Sequence, residues 1–335
     1  MTEIFAFALG ITRNDAAGAP LDCFFPAPLM SPTAEVVAAI TAHFKPGVTT
    51  VSCETARAYA AATGTTANGT TTALIESDMA LTAVVLHADT PITSTQEAYL
   101  KLHLLSHRLA LPNTLNLGDI FGHLPNVAWT SEGPCHIQEM AAAQLAAHRA
   151  GRNLEVFSVD KFPKMTNYVI PPGVRIADAS RIRLGAFLGD GTTVMHEGLV
   201  NFNAGALGPN MVEGRISQGV IIGAHTDLGG SSSTMGTLSG GGAITISIGE
   251  HCLIGANAGT GIPLGDRCTI EAGLYITAGT PVSQLDEFGG TTLRKARELA
   301  GADDLLFIRN GQTGQIECRP NRKAIELNTQ LHKHN

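Results

Sequence analysis

Aromatic residues are scarce in this 335-residue chain, at 5% with a single Trp, while glycine is abundant at 37 residues. Such a chain wants a fold with many tight corners and narrow interiors. Charge is sparse too, at 15% against 44% hydrophobic residues, which excludes disorder as the dominant state. There is no basic excess: 22 Lys and Arg against 29 Asp and Glu leave a net charge of −7. That balance argues against nucleic acid and anionic membrane as partners. No apolar run approaches the ~18–20 residues of a membrane span. The apolar start Ile4-Phe5-Ala6-Phe7-Ala8-Leu9 follows Glu3 and no basic residue, so it reads as a buried strand rather than a secretory signal. The cysteines at 23, 53, 135, 252, 268 and 318 form no C-x-x-C pair and no zinc-like spacing with His. They are expected to be reduced core thiols of a cytoplasmic protein.

What the chain does contain changes in texture along its length. Residues 1–170 read as an α/β amino-terminal domain. Strand-like runs occur at Ile4–Ile11, Thr49–Cys53 and Leu81–His87. A helix is expected over Glu97–Ala110, with Leu102, Leu105 and Leu109 on one stripe, and an Ala-rich one over Ile137–Arg149, with apolar spacing carried by Ile137, Met140, Ala141 and Leu145. Pro163, Pro171, Pro172 and Gly173 mark a boundary.

Over 171–285 apolar residues recur every six positions: Ile176, Ile182, Leu188, Val194, Val200, Ala206 and Val212. The phase slips by four to Ile216, Ile222 and Leu228, and a Gly/Ser/Thr-rich insertion runs from Met235 to Ser247. The period resumes at Ile248 and Ile254, slips again, and ends with Leu264, Ile270, Ile276 and Val282. Six matches neither a helix nor a plain strand; it is the period of a hexapeptide parallel β-helix, with three hexads to a coil of roughly 18 residues. The predicted winding is left-handed, an exception to the usual crossover rule. Gly or Ala after the inward residue suits a corner where room is short and dihedrals are unusual. Residues 286–335 are expected to add a helix at Thr291–Leu299 and a hairpin, Leu305–Arg309 with Gln315–Arg319, turning at Asn310-Gly311.

Solenoids of this type commonly pack as trimers, whose grooves between chains suit a long thin ligand such as the pantetheine arm of coenzyme A. Two carboxylates stand out, in His196-Glu197-Gly198 and in Met211-Val212-Glu213-Gly214-Arg215. Glu213 follows an inward position and precedes Arg215 by two; it suits either a proton acceptor for an amine or a corner carboxylate bonded to backbone amides. His196, His225 and His251 show no paired spacing, so packed or surface imidazoles are expected rather than a zinc site. The stretch 235–247 lacks the Lys of a phosphate loop and reads as either a lid or a simple insertion.

Several segments resemble tetrahydrodipicolinate N-succinyltransferases of the longer actinobacterial and pseudomonad-like form. They are Met195-His196-Glu197-Gly198, Val200-Asn201-Phe202-Asn203-Ala204-Gly205, Met211 to Ser217, Gly236 to Gly242, Glu271-Ala272-Gly273-Leu274-Tyr275, Lys295 to Leu299, and Leu305-Leu306-Phe307 with Arg309-Asn310. The resemblance covers about 170–335. It implies a homotrimeric acyltransferase of lysine and diaminopimelate biosynthesis, moving succinyl from succinyl-CoA to (S)-2-amino-6-oxopimelate, a dicarboxylate amine. It implies Glu213 as the catalytic glutamate, either general base or site of a mixed anhydride. Acyl-CoA contacts carried over are Arg215, Gly230, Ser233, Ala256, Glu271, Ala272, Gly279, Lys295 and Ile308, Arg309, Asn310 and Gly311. It also implies Mg²⁺ at the trimer axis, held by Glu197 and an Asp at a position where this chain has Ser180, with Asp178 two residues earlier; one carboxylate from each of three chains would still make a site. Arg215 or Arg183 could clamp a substrate carboxylate. An acetyl-CoA-dependent acyltransferase and a non-enzymatic solenoid scaffold remain alternatives. The amino-terminal domain could serve trimer packing or part of the amino-substrate site.

Overall fold

The computed structural model describes residues 3–64, 69–77, 79–238, 244–286, 288 and 290–321. The chain divides into two compact units. One comprises the chain up to Ala110, Thr114–Pro163 and Asn167–Val169; the other comprises Leu111–Asn113, Lys164–Thr166 and the chain from Ile170.

The first unit is built on an antiparallel sheet in the order Pro20–Phe24, Ala6–Asn14, Leu81–Leu86, Gly47–Val51. Helices Ala34–His43 and Cys53–Thr63 contribute Ile40, Tyr59 and Ala60, and the cap residue Phe44 joins them, in the core shared with Phe7, Leu9 and Leu81. Ser52 caps the second of these by accepting from Thr55 N. A smaller sheet pairs Gly133–His136, Val127–Thr130 and Val156–Asp160.

Two helical expectations change. The helix expected over Glu97–Ala110 spans Thr95–Ser106, and Arg108 then turns left-handed at φ 63°. It is buried on every side, Tyr99, Lys101 and His103 included, so no stripe exists; Leu109 lies beyond it and is exposed. Lys101 Nζ is satisfied by Asp89 Oδ1, Thr90 O and Asn116 O, each at 2.6 Å, which is why a charge can sit at 1% exposure. The second helix is a 3₁₀ turn, Ile137–Glu139, followed by Met140–Arg149. Of the residues that carry its apolar spacing, Ile137 and Leu145 are 41% and 60% exposed in the single chain.

The second unit is a prism of stacked parallel strands. Its first face orders Arg175–Ile176, Thr192–Val194, Asn210–Val212, Asp227–Leu228, Leu253–Ile254 and Thr269–Ile270. The second orders Leu199–Val200, Arg215–Ile216, Ser233–Thr234, Gly259–Thr260 and Tyr275–Ile276. The third orders Ala186–Leu188, Ala204–Ala206, Ile221–Ile222 and Ser247–Ile248. Of the hexad residues, all but the half-buried Ile176 are buried.

The ladder also includes two positions that the apolar pattern hides. Thr234 and Thr260 point inward at 2% and 0% exposure, so the second slip falls after 260 rather than after 254. Thr260 Oγ1 donates to Ile262 O and accepts from Ile262 N, closing the shortened corner. A parallel inner column, Thr192, Asn210, Thr226, Cys252 and Cys268, lies two residues before each first-face hexad residue and is fully buried. Thr226 Oγ1, Cys252 Sγ and Cys268 Sγ donate to Gly249 O, Gly265 O and Ala302 O, so these thiols do a hydroxyl's work between coils.

The glycines after inward residues are there for room alone. A Cβ on Gly189 would fall 1.9 Å from Leu207 O. Left-handed residues lie elsewhere in the turns, among them Asn203, His225, Ser231, His251, Asn257 and Arg267.

At the carboxyl end Thr291–Lys295 is a strand antiparallel to Pro281–Leu285, not a helix; only Ala296–Leu299 is helical, as a 3₁₀ turn. Leu305–Arg309 pairs with Ile316–Pro320 and also runs parallel to Thr269–Ile270, so buried Phe307 takes the next rung of the first face.

Candidate functional site

Turn length decides where the carboxylates go. Between first and second faces, five residues separate Val194 from Val200 and Leu228 from Thr234, but only three separate Val212 from Ile216. Stacked coils rise about 4.8 Å each. The short turn therefore leaves a recess between its two longer neighbours, and Glu213 stands in it, half-buried.

The longer turns meet across that recess. Ser231 Oγ donates to Glu197 Oε2 at 2.6 Å, although their coils are two apart. Ser231 N donates to Glu213 O at 3.2 Å. Gly230 faces both acids: a Cβ there would lie 3.5 Å from Glu213 Oε2 and 3.7 Å from Glu197 Oε2. Gly214 is equally constrained, since a Cβ would fall 2.1 Å from Ser232 Oγ.

A third acid belongs to this neighbourhood. Asp227 points outward on the first face between Met211 and Leu253, and its carboxyl is pushed up to about 6, first by burial and then by the Glu213 charge. Sequence reading missed it because stacking, not spacing, brings it to Glu213. Its one signal was a lone acid adjoining a hexad residue, Leu228, on an otherwise uncharged stretch.

The remaining predicted residues distribute along one edge and one face. Ala256, Glu271 and Ala272 occupy the same series of turns as Glu197, Glu213 and Gly230, on later coils. Arg215 and Ser233 are register partners on the outer side of the second face. Arg309 N donates to Glu271 Oε2 at 2.8 Å, which ties Ile308, Arg309, Asn310 and Gly311 to that edge. Gly279 follows Ile276 and lies at the opposite end of the second face, where Lys295 pairs with Pro281. The insertion also leaves from that opposite end: Leu238 N donates to Ile244 O and Thr237 bridges Thr245, while Ser239 to Ala243 lie outside the described residues.

The imidazoles do not converge. His225 and His251 stack at 4.8 Å on one edge, and His196 stands on the turn with Glu197. Among the described residues no group of three His, Cys, Asp or Glu side chains is placed to hold a metal ion. The residues expected to hold Mg²⁺ are otherwise engaged. Asp178 Oδ1 accepts from Ser180 N and Oγ, which lowers its pKa, and Glu197 Oε2 accepts from Ser231. Ser180 supplies no carboxylate, so the donor set of one chain does not fit this ion, which prefers carboxylates and waters. Arg183 Nη1 donates to Asn201 Oδ1, and Arg215 is exposed.

Comparison with known proteins gives concordant results. Residues 245–278 match the hexapeptide repeat of succinyl-transferase, and residues 124–164 match the middle region of tetrahydrodipicolinate N-succinyltransferase. The chain is 54% identical over 341 residues to the 2,3,4,5-tetrahydropyridine-2,6-dicarboxylate N-succinyltransferase of Pseudomonas aeruginosa PAO1, covering 99% of each. It is 50% identical over 340 residues to the protein of the same name from Vibrio cholerae, again with 99% of each covered. A Campylobacter jejuni crystal structure, described as a candidate 2,3,4,5-tetrahydropyridine-2-carboxylate N-succinyltransferase, superposes with a TM-score of 0.86 at 30% identity, covering 97% of this chain and 94% of that one.

Proposed function

The chain belongs to the tetrahydrodipicolinate N-succinyltransferase family, and from that premise we propose that it moves a succinyl group from succinyl-CoA to the amino group of (S)-2-amino-6-oxopimelate, in the succinylase branch of lysine and diaminopimelate synthesis. Glu213 is the catalytic residue. The substrate amine arrives mostly as an ammonium, and Glu213 takes one proton from it. The freed nitrogen attacks the thioester carbonyl and gives up its second proton to water, the C–S bond breaks, and the CoA thiolate leaves with the proton that Glu213 returns. The observation that carries this role is the recess: a half-buried carboxylate beside a second one, with a glycine in front of both.

Arg215 clamps a substrate carboxylate. Acyl-CoA lies along the second face, against Gly230, Ser233, Ala256, Glu271, Ala272, Gly279, Lys295 and Ile308 to Gly311. The prism winds left-handed, as the hexapeptide match favours. Three chains pack by the flat faces of their solenoids. The reaction is placed in the cytoplasm, in keeping with six free cysteines. Glu197 is engaged by Ser231, and no metal enters the proposal.

The test is donor choice. With L-2-aminopimelate as amine, succinyl-CoA should give rapid thiol release and acetyl-CoA little. Preference for acetyl-CoA would reject the succinyl assignment.

A further inference from the structure

The hydrogen bond from Ser231 to Glu197 crosses a whole coil, and nothing in the solenoid repeat requires it. At the equivalent turn of the next coil stands Asn257, also left-handed at φ 56°. Ser231 itself is held at φ 59°, a left-handed conformation that disfavours a residue with a Cβ. A glycine there would relieve that strain, yet the chain keeps a hydroxyl, and the hydroxyl is spent on a carboxylate. That carboxylate is thereby fixed beside Glu213, with only Gly230 before the pair.

We propose that Ser231 is a positioning residue for the amino substrate: by holding Glu197 across the shortened turn, it makes two carboxylates rather than one receive the substrate ammonium. Unrestrained, two neighbouring like charges repel, and the exposed Glu197 swings away into water. Held, Glu197 keeps the ammonium in place while Glu213 takes the proton. The proposal rests on the succinyl-transfer reading.

Four variants test it: Ser231→Gly, Ser231→Asn, Glu197→Gln and the double variant Ser231→Gly with Glu197→Gln, with KM measured separately for L-2-aminopimelate and for succinyl-CoA. Ser231→Gly removes the hydroxyl and the strain together, so its melting temperature should not fall. Its KM for the amine should rise roughly tenfold while KM for succinyl-CoA stays put. Ser231→Asn, which tolerates the left-handed turn and keeps a donor, should recover much of that loss. Ser231→Gly combined with Glu197→Gln should lose no more than Glu197→Gln alone, because one residue acts through the other. Unchanged amine KM in Ser231→Gly, equal losses for both substrates, or additive losses in the double variant would each overturn the role of Ser231. Absence of succinyl transfer in the wild type would instead refute the reading of function beneath it.

Discussion

Replacing Gly230 by alanine should separate stability from activity. The added Cβ would sit 3.5 Å from Glu213 Oε2 and 3.7 Å from Glu197 Oε2, ordinary contact distances that force no movement. Gly230 is not in the left-handed region, so alanine fits its backbone. A compatible Gly→Ala change restricts the unfolded chain and stabilises by about 0.4–1 kcal/mol. The melting temperature should therefore hold or rise by about 1–3 °C. The methyl group, however, fills the space from which an ammonium would reach both carboxylates. Losing one charge-assisted contact costs about 1.5–3 kcal/mol, so kcat/KM for the amine should fall about tenfold to a hundredfold. Steady-state thiol release with the amine varied reads the second effect; circular dichroism melting reads the first. A Gly230→Ala enzyme with wild-type kcat/KM would refute the view that the amine enters between these acids.

Other expectations follow from the same coordinates. Asp227 holds its proton to about 6 in the fold against 3.8 unfolded, so the fold binds it more tightly and loses stability as pH rises through that window. The full difference is about 3 kcal/mol, and solvent around the exposed part of the side chain reduces it to about 1 kcal/mol. Asp227→Asn should thus raise stability near pH 7, with the gain shrinking toward pH 4, in urea titrations at the two values. Thr260→Val leaves Ile262 N and O without the hydroxyl that serves both and should cost about 2 kcal/mol by the same titration. Lys101→Met strips three oxygens of their shared donor and should cost about 3 kcal/mol.

The solenoid was legible because its inward residues repeat at a fixed period and have nowhere else to go. Its polar rungs were not: Thr234 and Thr260 look like surface residues until the bonds to Ser217 N and to Ile262 show why a hydroxyl belongs inside. The slip from Val212 to Ile216 was visible as a phase change. What it builds, a recess holding Glu213, becomes visible only when the turns of Glu197 and Ser231 stack on either side. Asp227 was hidden for the same reason. In the first unit, a stripe of Leu102, Leu105 and Leu109 leaves no place inside for Lys101 and His103, yet buried hydrogen bonds hold both there. Thr291–Lys295 carries helix-forming residues, but pairing with Pro281–Leu285 overrides that preference.

Glu213→Gln removes the proton acceptor while keeping the side chain's size and leaving the strand bonds of its turn intact. Thiol release from succinyl-CoA in the presence of the amine should drop by at least about 100-fold, with the melting temperature within a few degrees of wild type. A folded Glu213→Gln protein that releases thiol at the wild-type rate would contradict the assignment of the chemistry to this carboxylate.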